Sequence, residues 1–176
     1  YVGESGWEIY FNNNKDDGLA LYDSLLEVGV VPVGIETYAN SRRLEKSFRL
    51  QGADLETEYT AIEAAIQRPL VKEADFHGKA AHLAHREEDP CAILCTMTLD
   101  DLNVSGKTRY PVGISPIIDP ATGEVPIDSK GRRSYTTGMS YCPSLKKFVV
   151  MGYLPKEIAI QGKSLLIEYF NEDGDG

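Results

Sequence analysis

No apolar run in these 176 residues approaches the roughly 20 that a membrane-spanning helix requires. Positive charge is also scarce: 18 lysines and arginines stand against 27 aspartates and glutamates, for a formal net charge of −9. Phosphate-backbone binding needs a basic face, and an anionic membrane surface attracts one, so nucleic acid and membrane are both argued against as partners. The three cysteines, Cys91, Cys95 and Cys142, form no framework spacing and are odd in number. They read as reduced core thiols, with Cys91 and Cys95 on one strand face, and they point to a reducing compartment. Histidine is equally sparse. His77, His82 and His85 cluster on one predicted helix with no further ligand beside them, so solvated helix-face residues are favoured over a metal site. Nothing makes a nucleophile–base pair, a P-loop or a dinucleotide fingerprint. Neither an initiator methionine nor a signal-peptide pattern opens the chain.

What is there is enough apolar material, 42% of residues, to bury a real core. Trp7 to Phe11 reads as a first strand. Asn12 to Gly18 is a turn in which Asp16 or Asp17 is a fair N-cap. Leu19 to Val28 has near-helical apolar spacing and stops at Gly29. A second helix is expected over Ile35 to Phe48 and a third from Gly78 to Arg86, ended by Glu87-Glu88-Asp89-Pro90. Thr60 to Gln67 is ambiguous between helix and strand. From Cys91 onward the pattern turns to β, with strands expected at Cys91–Leu99, Val112–Ile118, Ser134–Ser140, Lys147–Leu154 and Ser164–Phe170. The expected organisation is α+β: residues 1–89 as a mixed front part and 90–176 as a small antiparallel β-domain, a barrel or a sandwich.

One residue stands out from this pattern. Glu8 is the charged member of an otherwise uncharged stretch, Trp7-Glu8-Ile9-Tyr10-Phe11. Alternation along a strand puts it on the face shared with Tyr10, opposite Trp7 and Ile9. Solvent exposure is the simple reading. The other is a half-buried carboxylate, which needs donors, and the N–H pair of an aminopyrimidine edge supplies a bidentate match. Arg43, within "NSRRLEKSFR", is a candidate to orient a ligand, against the alternative of a helix-surface ion-pair network with Glu45. On residue chemistry, the chain reads as a ligand-binding domain.

Four stretches in order resemble one family. "YVGESGWEIY" resembles a Y-T-G-E-x-G-x-E motif, and "YANSRRLEKSFRLQGADL" a helix motif S-L-R-L-E-x-G…G-x-D. "ADFHGKAA" resembles D-F-I-G-K-x-A, and "YTTGMSYCPSLKKFVVMGYLP" a terminal β-hairpin. Together they resemble the folate-binding aminomethyltransferase family, which includes the glycine cleavage T protein and the C-terminal halves of dimethylglycine and sarcosine dehydrogenases. The resemblance implies a three-lobed fold around a folate channel, ending in a small barrel. It also implies that Tyr1 and Glu8 line a tetrahydrofolate pocket, Glu8 on the pterin, and that the catalytic aspartate lies upstream, leaving no catalytic residue in this chain. The expected partners are folate, a methylated amine and a missing N-terminal part or partner subunit, which carries FAD in the dehydrogenase branch. The expected compartment is the cytoplasm, or the mitochondrial matrix in a eukaryote. Three positions depart from the family pattern: Ala39 stands at its second folate-binding arginine, Gln51 at an aromatic, and "TAIE" (60–63) at Thr-Pro-Leu-Glu. A non-catalytic binding or regulatory module of the same fold, or a demethylase of another methyl donor, remains the alternative.

Overall fold

The computed structural model describes residues 4–12, 14–67, 70–100, 103–104, 107–108 and 114–168. Residues 4–12 run without regular secondary structure, which corrects the strand expected at Trp7 to Phe11. A strand needs a ladder partner for its N–H and C=O groups. None pairs with this stretch among the described residues, and Trp7 is 97% exposed. Helix α1 (Lys15–Glu27) follows. Its cap is Asn14, whose Oδ1 accepts from Asp16 N at 3.1 Å, rather than Asp16 or Asp17. Those two carboxylates fall in the first turn, where the helix dipole favours them. As expected from the sequence, the helix stops at Gly29, whose φ of 90° is left-handed. No residue of α1 is buried.

The second predicted helix is broken into two kinds of turn. Thr37–Ser41 is a π-helical turn, closed by Arg42 N donating to Thr37 O, and α2 (Arg42–Glu45) continues from it. Ser41 at the end of the π turn and Arg43 and Leu44 in α2 are buried. Ser47, at φ 55°, ends the element. Thr60 to Gln67 is neither helix nor strand but a series of turns, with Ala64 N donating to Thr60 O at 2.9 Å. Helix α3 (Lys79–Glu87) starts from Gly78 as expected, and Pro90 favours the extended backbone that follows. No helix among the described residues is long and apolar enough to cross a membrane.

The centre of the molecule is a three-stranded antiparallel sheet in the order β1 (Ala92–Thr98), β6 (Lys147–Pro155), β5 (Thr136–Cys142). β6 is central and buried from Val149 to Pro155, as its nearly continuous apolar sequence requires of a strand covered on both faces. On one face Val149, Met151 and Tyr153 pack with Leu44, Tyr59, Ala64, Ala92, Leu94 and Cys142. That cluster draws on both sides of position 90, so front and rear of the chain share a core. On the other face Gly152 admits a close neighbour: a Cβ there would lie 2.8 Å from Ile117 Cδ1 and 2.7 Å from Tyr135 O.

Two short ribbons complete the β structure: β2 (Asn103–Val104) with β3 (Lys107–Thr108), and β4 (Ile117–Ile118) with β7 (Leu166–Ile167). The strands expected at Val112–Ile118 and Ser164–Phe170 are thus reduced to two residues each, and 112–113 and 169–170 lie outside the described residues. The fold class is α+β with antiparallel sheets, as expected. Among the described residues the sheets do not close into a barrel: the three-stranded sheet and the two ribbons remain separate.

Candidate functional site

In the irregular stretch 4–12, Glu8 and Tyr10 stand two residues apart and their side chains meet. Tyr10 Oη donates to Glu8 Oε2 at 2.6 Å, and both residues are exposed. The neighbouring carboxylate stabilises the protonated phenol, so the Tyr10 hydroxyl is held above its ordinary range. In this chain, then, Glu8 faces solvent with its tyrosine partner rather than a protein wall. Tyr1 lies outside the described residues.

Behind this stretch, Glu4 ties the glycine-flanked turn to the helix. Its Oε1 accepts from Arg42 Nη2 at 2.6 Å and lies 3.1 Å from Lys46 Nζ. The hydrogen bonds of Lys46 and then of Arg42 hold the Glu4 carboxyl below the usual carboxylate range. Arg42 reaches further: its Nη1 donates to Glu45 Oε2 at 2.9 Å and to Ser144 Oγ at 3.2 Å. Ser144 N in turn donates to Glu45 Oε1 at 3.0 Å. A polar path therefore runs from the turn through α2 to the β5–β6 hairpin.

Arg43 is buried at the start of α2. It forms no surface network with Glu45, which pairs with Arg42 instead. It is 3% exposed and meets Asp54, which is fully buried, with Nη1–Oδ2 at 2.6 Å. Nη1 also donates to Phe48 O at 3.0 Å, and Nε donates to Ala39 O in the π turn. Asp54 accepts in addition from Leu50 N at 2.8 Å and from Thr137 Oγ1, while Tyr153 Oη donates to the Asp54 carbonyl at 2.7 Å. The charge pair is therefore both matched and hydrogen-bonded, which a buried pair needs. Gly138 makes room for it, since a Cβ there would come to 3.0 Å from Arg43 Nη2, and the β5 register shifts at that point. Asp54 is the aspartate of the G-x-D motif, eleven residues after Arg43, and nothing local in the sequence pairs the two.

A second charged centre was missed in the sequence. "TAIE" is a reciprocal capping box: Thr60 N donates to Glu63 Oε2 at 2.9 Å and Glu63 N to Thr60 Oγ1 at 3.2 Å. Buried Glu63 also binds Arg132, which pairs with Asp128 at 2.7 Å and lies 4.2 Å over the Tyr59 ring. Tyr59 stacks on Tyr153 with centroids 3.5 Å apart. Burial raises the Glu63 pKa, but the Arg132 and Thr60 hydrogen bonds outweigh it, and the carboxyl ends below its ordinary range.

The three thiols are free; burial pushes the Cys142 thiol up to about 11. His82 and His85 are half-exposed on α3 and His77 is exposed ahead of it. Among the described residues no group of His, Cys, Asp or Glu could hold a metal ion. A concavity lined by Thr60, Glu63, His85, Asp89 and Lys130 measures about 10 Å³, room for about one water.

Comparisons with known proteins show what the chain is similar to. Residues 1–73 match the model of the GCVT N-terminal domain family. This match and those that follow fit one family, that of the aminomethyltransferases, and the resemblance read from the motifs is shown. The chain is 29% identical to human mitochondrial dimethylglycine dehydrogenase over 98% of its own length and 19% of that protein's. It is 30% identical to the aminomethyltransferase of Francisella philomiragia, over 96% of its own length and 44% of the relative's. The crystal structure of glycine cleavage system aminomethyltransferase T from Bartonella henselae superposes with a TM-score of 0.64 and 26% identity, over 88% of this chain and 40% of that one. The chain thus spans less than half the length of these relatives.

Proposed function

We propose that this chain is the folate-facing and C-terminal part of a larger enzyme that passes a one-carbon unit from a methylated or aminomethyl amine to tetrahydrofolate. The observation that carries this reading is the Glu8–Tyr10 pair, a carboxylate with its phenol presented together within residues 1–73 that match the family model. A carboxylate is the acceptor that a pterin's N–H pair requires. Tetrahydrofolate, as co-substrate, supplies the amine nitrogen that takes up the one-carbon unit. In this reading Glu8 and Tyr1 bind and orient its ring. Arg43, with its guanidinium turned to Ala39, Phe48 and Asp54, serves the pocket by holding the π turn.

A ligand of this size needs concave walls, and the described residues do not build them around Glu8. The walls, the acid–base aspartate and, in the dehydrogenase branch, FAD belong to further polypeptide of the same protein or to a partner subunit. Residues 1–89 then complete the folate region, and 90–176 close into the small barrel once completed. The compartment is the cytoplasm, or the mitochondrial matrix in a eukaryote.

The test is calorimetric titration of tetrahydrofolate into the full-length protein. Glu8→Gln is expected to weaken binding about a hundredfold, the size of a lost charge-assisted pair, and to leave Tm nearly unchanged. Unchanged affinity removes Glu8 from the site. An absence of folate binding by the unaltered protein leaves the non-catalytic module as the better reading.

A further inference from the structure

Between Glu4 and Glu8 lie Ser5, Gly6 and Trp7, and in the sequence Gly3 precedes. Gly6 has nothing within 4 Å of where a Cβ would sit, and Trp7 is 97% exposed. Such a turn is permissive: glycine samples both signs of φ, and no packing holds it. Left to itself it would present the Glu8 carboxylate over a wide range of positions, and a ligand would have to order it on binding. Four residues of chain reach at most about 14 Å, so whatever fixes Glu4 sets the region available to Glu8.

We infer that Glu4 is a positioning residue for the Glu8 site: its clamp on Arg42 and Lys46 pre-orders the turn that presents Glu8 to the pterin. The clamp does not end on a mobile side chain. Arg42 is held by Glu45 and Ser144, and Glu45 accepts from Ser144 N, so the anchor is the β5–β6 hairpin of the central sheet. Lys46, 3.1 Å from Glu4, follows α2 directly. The rear sheet thereby registers the front turn. This gives a role to the glutamate at position 4 of "YVGESGWE". The inference rests on the folate reading above.

The experiment uses the full-length protein and three variants: Glu4→Gln, Lys46→Gln and the double substitution. Lys46 is chosen because Arg42 also serves Glu45 and Ser144. Glu4→Gln is expected to raise the Kd and KM for tetrahydrofolate about tenfold, through lost pre-organisation, with kcat unchanged. Tm should hold, since exposed ion pairs contribute little to stability. Lys46→Gln should show the same KM–kcat split in smaller degree and add little in the double variant, because both changes open one clamp. A wild-type Kd in Glu4→Gln, with Glu8→Gln still weakened, overturns the inference and leaves the folate reading standing. Additive losses in the double variant also overturn it. Loss of all folate binding in the unaltered protein overturns both.

Discussion

At the residue scale, Arg43 and Asp54 show what a fold must supply to bury a charge pair. The guanidinium and the carboxylate are nearly or fully buried, and what makes that tolerable is the surrounding set of acceptors and donors: Ala39 O, Phe48 O, Leu50 N and Thr137 Oγ1. Removing one partner leaves the other charged and dry. Asp54→Ala is accordingly expected to cost about 3–5 kcal/mol, read as a lower midpoint in urea unfolding. A loss below 1 kcal/mol would mean that water reaches the arginine. Glu8 is the opposite case, a charge held by its partner Tyr10 and open to solvent, so its substitution should register in binding and scarcely in stability.

At the scale of elements, the turns carry as much as the strands. The Thr60–Glu63 capping box folds a segment whose composition favours neither helix nor strand, and it delivers Glu63 to Arg132 on the loop before β5. Because the native pKa of Glu63 is lowered from 4.5, the unfolded chain takes up a proton there first. Its contribution is therefore fully present above pH 4.5 and is lost as the pH falls below that value through the native one. Urea midpoints measured from neutral to acid pH should fall more steeply in this window for the unaltered protein than for Glu63→Gln. Identical slopes would detach Glu63 from the acid transition. The π turn belongs to this scale too: its Ala39 carbonyl accepts from Arg43 Nε and so ties the turn to the buried pair.

At the scale of the whole molecule, the described residues divide by burial. The sheet and the α2 region share a core, whereas the front segment keeps its apolar side chains in water: Trp7, Phe11, Leu19, Val28, Val31 and Ile35 are all exposed. Large apolar side chains left exposed along one segment are what an interface would cover. The 176-residue chain by itself should therefore bind a hydrophobic dye and self-associate in sedimentation, bind tetrahydrofolate poorly and turn nothing over. The full-length protein should do none of these. A monodisperse, dye-silent 176-residue chain would show that the face needs no cover, and one that forms methylene-tetrahydrofolate would show that these residues suffice for the transfer.

Much of this was legible beforehand, for reasons that can be named. The stop at Gly29, helix α3 from Gly78, strand β1 and the β5–β6 hairpin follow from local signals: a left-handed glycine, helical spacing ahead of a proline, runs of β-forming residues around a Pro-Ser turn. The order of the four motifs carried the family likeness, and the Glu8–Tyr10 alternation needed only an extended backbone. The partner of Arg43, the break of the predicted helix into a π turn and α2, and the bond from Glu63 to Arg132 were not legible, because each joins residues distant in sequence or depends on what packs beneath. Trp7 to Phe11 makes the division plain. Local composition specifies that this stretch is apolar and carries one acid. Whether it becomes a strand depends on a ladder from elsewhere in the fold, since backbone hydrogen bonds between strands are made only where tertiary structure brings a second chain segment alongside.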